Sequence, residues 1–281
     1  AEWRQWDLHI HTPASFHWHG KKFEADPGSP ANAALVDEMI AALNTAEPAV
    51  FAIMDYWTFD GWFALKKRLK EAGAPRLNKR VFPGIELRLS APTCRLNAHV
   101  LFSDEVEDQV LHDFKSALTL EIVPRPLSDA ALIELARSIG EDKLKLGGFK
   151  KSEIDVDASK ALLAGAMNAE LNCDSYKDAI EKVPRGQAIG FMPYDTSDGL
   201  DEVNWQEHYA YFLGLFRSSP IFETRKTVLR DAFVGEETPE NTKWFKHFQA
   251  GLGNIPRLAV SGSDAHRFTG TAGDNDKRGY G

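Results

Sequence analysis

Short apolar runs alternate along the chain with longer segments whose apolar residues recur at helical spacing. Apolar runs of about four to eight residues between turn signals indicate buried strands. These runs predict strands over residues 6–10, 49–54, 80–89, 96–102, 188–192, 221–223 and 258–262. Strands that alternate with helices in this way are typical of a barrel-like parallel sheet.

Helical periodicity fills most of the intervals between the strands. In the first helix, Ser29 is placed at the N-cap and Pro30 at the first helical position, which both residues favour. The periodic segments predict helices over residues 30–46, 60–72, 104–118, 128–139, 158–171, 175–181, 203–216 and 241–250. Between about residues 105 and 185 the helices follow one another with little strand among them, which indicates a helical insertion. We expect a single α/β domain over residues 1–281.

Composition agrees with a globular domain of this size. The chain has 281 residues, of which 43% are hydrophobic and 26% charged. No apolar run approaches the roughly 18 to 20 residues of a membrane span, and the first residues lack a signal-peptide core, so we expect a cytoplasmic protein. The cysteines, Cys94 and Cys173, form no CxxC pair, which predicts reduced thiols and excludes a cysteine-ligated zinc site.

The most informative residues form two alternating pairs near the ends of the chain. His9 and His11 end the first predicted strand, and Asp264 and His266 follow the last. Residues two apart in a strand point to the same side, so each pair can present two metal-binding groups together. In a parallel barrel, the loops after the strands build the active site at one mouth. We therefore expect both pairs at that mouth.

Other polar residues stand at the ends of the intervening strands or within them. They are Asp55, Glu86, His99, Tyr194, Asp195 and Glu223. Imidazole and carboxylate groups without thiolate suit Zn, Mn or Fe. We expect Asp55 to be either a ligand or a residue that orients one. Asp195, Glu223 and Arg225 are each expected to be structural.

Five motifs carry a family resemblance. In order, DLHIHTPAS, FAIMDY, PGIELRL, NAHVLF and SGSDAH resemble the polymerase and histidinol phosphatase (PHP) superfamily. The resemblance implies a distorted seven-stranded (β/α)7 barrel and a metal-dependent phosphoesterase. Both ends of the chain are also similar to the N-terminal PHP region of TrlF-like proteins, in which that region precedes an ATPase. The chain contains no GxxxxGKS or GxxxxGKT, and so has no Walker A motif of its own.

The resemblance also implies which residues hold metal. The residues that match family ligands are His9, His11, His17, Glu86, His99, Asp264 and His266. Those that match the first metal, and are the predicted catalytic residues, are His9, His11, Glu86 and Asp264. Glu86 would bridge to a second ion with the help of His99, and His17 and His266 match a third position. We expect one to three divalent ions per chain.

The chain departs from the family pattern at two places. Tyr56 stands where a histidine usually follows the aspartate of the second strand, and the sequence Met192-Pro193 stands where His-Pro is expected. The second and third positions are each one ligand short in consequence. Tyr194 or Asp195 could substitute for the missing groups.

The resemblance implies hydrolysis of a phosphoester without a covalent nucleophile, and the sequence contains no GxSxG motif. A net charge of −8 argues against a surface that coats nucleic acid nonspecifically, but bound cations can attract phosphate to an acidic cleft. The TrlF-like ends favour a nuclease acting on DNA or RNA. The insertion offers basic residues for phosphate contacts, namely Lys143, Lys145, Lys150 and Lys151.

Two alternatives stay open at this stage. A small-molecule phosphatase of the histidinol-phosphate type would need a closed pocket with arginines near the metals; the candidates are Arg88, Arg95, Arg225 and Arg267. A degenerate PHP module, structural or regulatory, would bind little metal because Tyr56 and Met192 replace ligands. Metal analysis separates this module from both enzymes.

The last residues, 270–281, are rich in glycine and poor in apolar side chains, which indicates a loop or linker. A linker at this place would lead to a further domain. We therefore expect an ATPase domain or partner beyond Gly281.

Overall fold

The computed structural model describes residues 3–271 and 278–280. Its strands form one curled sheet in which each strand lies beside its neighbours in sequence. They are β1 (Trp6–Ile10), β2 (Val50–Ile53), β3 (Arg80–Ser90), β4 (Arg95–Phe102), β5 (Ala188–Pro193), β6 (Ile221–Glu223) and β7 (Leu258–Val260). This seven-stranded sheet, flanked by helices, confirms the predicted α/β fold with a distorted (β/α)7 barrel.

The helices of the described residues lie on the outside of the sheet and in the predicted insertion. They are α1 (Pro30–Thr45), α2 (Asp60–Arg68), α3 (Asp108–Ala117), α4 (Asp129–Ser138), α5 (Glu141–Leu146), α6 (Lys151–Val156), α7 (Ala158–Asn168), α8 (Cys173–Lys182), α9 (Tyr209–Ser218), α10 (Thr227–Val234) and α11 (Thr242–Gly251). The short helices α5, α6 and α10 were not predicted. Two of them have six residues, which is too few for a clear apolar period. Among the described residues, no helix is both long and apolar enough to cross a membrane.

One strand runs against the expected direction. β4 is antiparallel to both β3 and β5, whereas the other neighbouring pairs are parallel, so the expectation of a wholly parallel sheet is wrong at this strand. The physical reason is the short connection over residues 91–94, where Ala91 N donates to Cys94 O at 3.1 Å. A hairpin needs only a few residues, whereas a parallel crossover needs about a dozen or more.

The barrel closes between β1 and the residues that follow β7. Ile10 forms an isolated parallel bridge with Ala265. Two backbone hydrogen bonds hold this contact, from His11 N to Ala265 O at 3.0 Å and from Asp264 N to His9 O at 2.9 Å. The close contact between β1 and the segment after β7 requires glycine at position 262, because a Cβ atom there would lie 2.3 Å from the Cβ atom of His9. The first and last predicted ligand pairs therefore meet at this seam.

A small apolar cluster fills the barrel, and a larger core lies between the sheet and its helices. The inner cluster consists of Leu8, Ala52, Met54, Phe191 and Ile221. Because these residues come from β1, β2, β5 and β6 or their immediate ends, they meet inside the barrel. Polar residues, and not this cluster, occupy the mouth of the barrel at the ends of the strands.

The C-terminal residues return to the barrel where the structure describes them. Tyr280 is buried, and its hydroxyl donates to His11 O at 2.7 Å. Its ring lies near those of Trp18 and Phe268. The remainder of the expected loop or linker, residues 272–277 and 281, lies outside the described residues. The expectation of a further domain beyond Gly281 stays a prediction.

Candidate metal centre

The centre lies at the mouth of the barrel where β1 ends. His9 and His11 are buried there, with 5% and 0% of their surfaces exposed. The seam between β1 and the end of the sheet sets Asp264 beside them. Asp264 has a left-handed backbone with φ 54°, a conformation that aspartate adopts more readily than most residues. The structure thus brings His9, His11 and Asp264 together, and Glu86 joins them from β3.

Four donor atoms lie close together at this mouth. His9 Nε2 lies 3.3 Å from Glu86 Oε2 and 3.4 Å from Asp264 Oδ1. His11 Nε2 lies 3.3 Å and 3.4 Å from the same two oxygens. Donor atoms about 2.1 Å from an ion in tetrahedral geometry are about 3.4 Å from one another. His9, His11 and Asp264 therefore fit one divalent ion, and Glu86 Oε2 contacts both of these histidines.

Glu86 connects this group to a second one through its other oxygen. Glu86 Oε1 lies 3.4 Å from His99 Nε2, because the antiparallel register of β3 and β4 sets the two residues directly opposite each other. The donor atoms of His9, Glu86 and His99 all lie within 4.8 Å of one another, as do those of His9, His11 and Asp264. A carboxylate with one oxygen in each group is suited to bridge two ions.

Buried nitrogens without hydrogen bonds support metal binding. Within the described part of the chain, neither ring nitrogen of His11 or His99 has a hydrogen-bond partner. Carboxylate oxygens lie nearby, but the contacts lack the direction that a hydrogen bond requires. Buried polar atoms are rarely left without a partner, and a bound ion is one recognised explanation. The chemistry of this donor set therefore fits a metal centre.

Glu223, at the end of β6, belongs to the centre although we expected it to be structural. It is buried, and its Oε2 atom lies 3.1 Å from His9 Nδ1 and 3.5 Å from His99 Nδ1. A carboxylate beside Nδ1 holds a proton on that nitrogen and directs the lone pair of Nε2 toward a metal. The available sequence signal was its position at the end of an apolar strand.

Asp55 lies behind His11 and outside both donor groups. Its carboxylate accepts hydrogen bonds from Thr12 N at 2.7 Å and from Thr12 Oγ1 at 2.6 Å. Its Oδ1 atom lies 4.0 Å from His11 Nδ1. Burial raises the pKa of Asp55 to about 6, although the neighbouring His11 and the Thr12 hydrogen bonds oppose this rise. Of the two roles considered for Asp55, this geometry fits the orientation of a ligand.

Opposite charges dominate the acid–base behaviour of the centre. Burial disfavours the charged form of His9, yet Glu223, Asp264 and Glu86 together raise the pKa of its imidazole well above the usual value. Burial likewise disfavours the charged form of Glu86, but His9 and His11 bring the pKa of its carboxyl well below the usual value. Metal ions would compete with protons for these histidines, so metal binding should weaken as pH falls.

The residues matched to a third ion are placed differently. His266 Nε2 lies 3.3 Å from Asp264 Oδ1, and its ring stacks on that of His11 at 4.1 Å between centroids. His17 lies farther out, with its ring centroid 5.9 Å from that of His266. Its Nε2 atom is 3.2 Å from Arg88 Nη2 and accepts a hydrogen bond from it. Burial, and then the charge of Arg88, lowers the pKa of His17 to about 4, which keeps this ring a neutral acceptor.

The residues considered as substitute ligands lie apart from the donor groups. Tyr194 packs among aromatic rings, with centroids 5.2 Å from Phe233 and 5.9 Å from Phe216. The Asp195 carboxylate contacts Lys226 Nζ at 3.2 Å. Neither residue is in the two donor groups found among the described residues. Tyr56, in contrast, stacks on His11 and borders the centre.

A cleft of about 300 Å³ opens onto the centre. Its lining includes His9, His17, Tyr56, Glu86, Arg88, Arg95, Asn97, Ser197, Asp198, Glu223, Arg225, Asp264 and His266. Three of the four arginines considered for a phosphatase thus line the cleft. Arg95 is neutralised by Asp198, since its Nη2 and Nε atoms donate to Asp198 Oδ2 at 2.8 Å and 3.0 Å.

Comparisons with known proteins give only distant structural likenesses. No family model and no curated protein matches the chain. It resembles the structure of an amidohydrolase from Chromobacterium violaceum with bound sulfate and no metal, at 16% identity, 93% coverage of this chain, 87% of the other and a TM-score of 0.47. It also resembles a protein from Bifidobacterium adolescentis provisionally described as a metal-dependent phosphoesterase, at 13% identity, 98% and 92% coverage and a TM-score of 0.45. Likenesses this distant do not establish the function of this chain.

Proposed function

We propose that the protein is a metal-dependent phosphoesterase whose centre is formed by His9, His11, Glu86, His99 and Asp264. The observation that carries the proposal is the spacing of four donor atoms at 3.3–3.4 Å. The contact of His9 Nε2 with Glu86 Oε2 has hydrogen-bond geometry, whereas His11 Nε2 lies beside both oxygens without a hydrogen-bond partner in the described chain, as expected of a metal ligand. The donor set suits Mn, Zn or Fe.

The protein side chains have separate tasks in this proposal. Bound divalent ions supply positive charge for the phosphoryl oxygens and lower the pKa of a water molecule. Glu86 holds the two donor groups together, and Glu223 keeps the proton of His9 on Nδ1. His266 lines the cleft beside Asp264, and burial lowers the pKa of its imidazole, so that its neutral form can accept a proton from the attacking water.

A small phosphate ester fits the cleft better than a nucleic acid strand. A volume of about 300 Å³ is at the lower end of pockets that bind small molecules. Of its three arginines, Arg88 and Arg225 have no carboxylate partner among the described residues. The lysines expected to contact nucleic acid do not line this cleft, and Lys145 pairs with Glu141 while Lys151 pairs with Asp155. A nucleic acid substrate therefore remains the second proposal.

The test compares p-nitrophenyl phosphate and histidinol phosphate with single-stranded and duplex oligonucleotides of DNA and RNA, each with Mn, Zn or Mg. We expect turnover of a small ester that is lost in a chelator and restored by metal. Efficient cleavage of oligonucleotides alone, falling steeply as salt rises, would make the nuclease the correct assignment. Absence of turnover on every substrate, with less than about half a metal ion per chain, would favour the degenerate module.

Ligand variants link this activity to the centre. His9→Ala and Asp264→Asn should abolish hydrolysis. Asp264→Asn should leave the metal-free fold nearly intact, because the side chain keeps its size and lies outside the apolar core, whereas His9→Ala should also lower the stability, because Glu86 and Glu223 lose a buried partner. A matched control is Asp113→Asn, which changes an exposed aspartate on α3. Wild-type turnover in either ligand variant would show that the reaction occurs elsewhere.

A further inference from the structure

Arg88 is a buried cation in the wall of the centre. It follows Glu86 by two residues on β3, so both side chains leave the strand on the same face. Only 5% of its surface is exposed, and it lines the cleft. Its guanidinium lies over the ring of Tyr56, with Cζ 4.7 Å from the centroid, and over the ring of Phe16 at 5.3 Å. These contacts hold a permanent positive charge in one place.

Hydrogen bonds fix the guanidinium further. Arg88 Nη1 donates to Met167 O at 3.0 Å, and Nη2 donates to His17 Nε2 at 3.2 Å. Met167 is in the last turn of α7, where carbonyl groups carry partial negative charge. Arginine has five N–H donors, so this pattern leaves donors for a ligand, and Nε has no partner among the described residues.

The position of Arg88 conflicts with a third metal ion. His17 and His266 are the residues matched to that ion, but Nε2 of His17 already accepts from Arg88. Arginine cannot lose its charge at working pH, and a divalent ion beside it would be repelled. The Arg95 guanidinium differs, because Asp198 neutralises it, although it too contacts Met167 O at 3.4 Å.

We propose that the guanidinium of Arg88 takes the place of a third metal ion and binds an oxygen of the phosphoryl group of the substrate, so that the centre holds two ions. This inference rests on the proposed phosphoesterase function and names the residue that recognises the phosphate. In this inference, the helical insertion helps to position Arg88. The end of α7 accepts a hydrogen bond from Arg88, and Ala166 O in the same helix accepts one from Trp57 Nε1 at 3.0 Å.

The first experiment counts metal. Protein dialysed against Mn is freed of excess ion, and Mn per chain is measured by elemental analysis in the wild type and in His17→Ala. We expect two ions per chain in both proteins, because His17 accepts a hydrogen bond from Arg88 and does not bind a metal ion. Three ions in the wild type, or the loss of an ion in His17→Ala, would overturn the inference whether or not the Arg88 variants fold.

The second experiment measures binding of inorganic phosphate to the Mn-loaded protein by calorimetry. Arg88→Gln should weaken the phosphate Kd at least tenfold, and Arg88→Lys should fall between this variant and the wild type, because lysine keeps the charge without the planar donors. Arg95→Gln is the matched control, since it also loses a contact to Met167 O, and it should change the Kd less than threefold. Equal losses in Arg88→Gln and Arg95→Gln, or an unchanged Kd in Arg88→Gln, would contradict the inference.

The two proposals can fail separately. The Arg88 assignment would stand alone if the protein binds two ions per chain and Arg88→Gln selectively loses phosphate binding, but no ester is hydrolysed. That result would reject the proposed phosphoesterase function. The converse result is that the wild type hydrolyses the ester while Arg88→Gln keeps the same phosphate Kd and the same KM. That result would support the phosphoesterase function and reject the role of Arg88 in phosphate binding.

Discussion

At the residue scale, the centre depends on which nitrogen of each histidine faces the carboxylates. Glu223 contacts Nδ1 of both His9 and His99, while Glu86 contacts Nε2 of both. The ligand types were predictable from the two motifs at the chain ends. The role of Glu223 was not, because 214 residues separate it from His9 and no local spacing records their contact.

Glu223→Gln should weaken Mn or Zn binding about 10- to 100-fold with little loss of stability in the metal-free protein. The amide keeps the size of the side chain but offers no charge to hold the proton on His9 Nδ1. Metal titration with a competing chelator measures the change, and the exposed Glu240→Gln serves as the control. An unchanged affinity for metal would show that Glu223 does not contribute to the metal centre.

Asp55 predicts a specific pH dependence of stability in the metal-free protein. Its folded-state pKa is raised from 3.8 to about 6, so its stabilising contribution is complete below pH 3.8 and is lost as pH rises through 6. The rise corresponds to about 3 kcal/mol. The unfolding free energy of the wild type minus that of Asp55→Asn should fall by up to this amount between pH 4 and 7, as measured by urea denaturation. A difference that stays flat would show that Asp55 is not perturbed.

At the scale of elements, two strand contacts create the centre. The β3–β4 hairpin sets Glu86 opposite His99, and the seam beside β1 sets Asp264 beside His9. Strand positions were predictable because apolar runs mark them. The direction of β4 was missed because an apolar run has no direction, although the short connection at residues 91–94 contained that information.

Gly262→Ala tests the seam. The added Cβ atom would lie 2.3 Å from His9 Cβ and 3.1 Å from His9 N, so the seam must open. We expect a loss of about 1–3 kcal/mol of stability and a lower metal content, because Asp264 would shift with the backbone. Gly214→Ala on α9 meets no atom within 4 Å and should be neutral or stabilising. Equal thermal stability and metal content in both variants would show that the close contact at Gly262 does not position Asp264.

At the scale of the whole molecule, the chain closes on itself near the centre. Tyr280 reaches back to the carbonyl of His11, so the region predicted from its glycine content as a loop or linker contributes a buried side chain. Glycine-rich composition indicates backbone freedom but does not show where one aromatic residue docks. The mouth is thus formed by residues from both ends of the described chain.

Tyr280→Phe should lower the stability by about 1 kcal/mol, because His11 O loses its hydrogen bond to the Tyr280 hydroxyl. For a domain of this size, we expect a fall in Tm of about 2–4 °C. Tyr209→Phe, at an exposed position, is the control and should leave Tm unchanged. An equal Tm for wild type and Tyr280→Phe would indicate that the docking contributes nothing to the folded state.

Anomalous diffraction from crystals grown with Mn or Zn can show whether the mouth of this barrel holds divalent metal. Data collected on both sides of the absorption edge locate the ions without reference to activity. We expect two anomalous peaks, one among His9, His11 and Asp264 and one beside Glu86 and His99. Fully metal-supplemented crystals without anomalous density at these side chains would contradict this expectation.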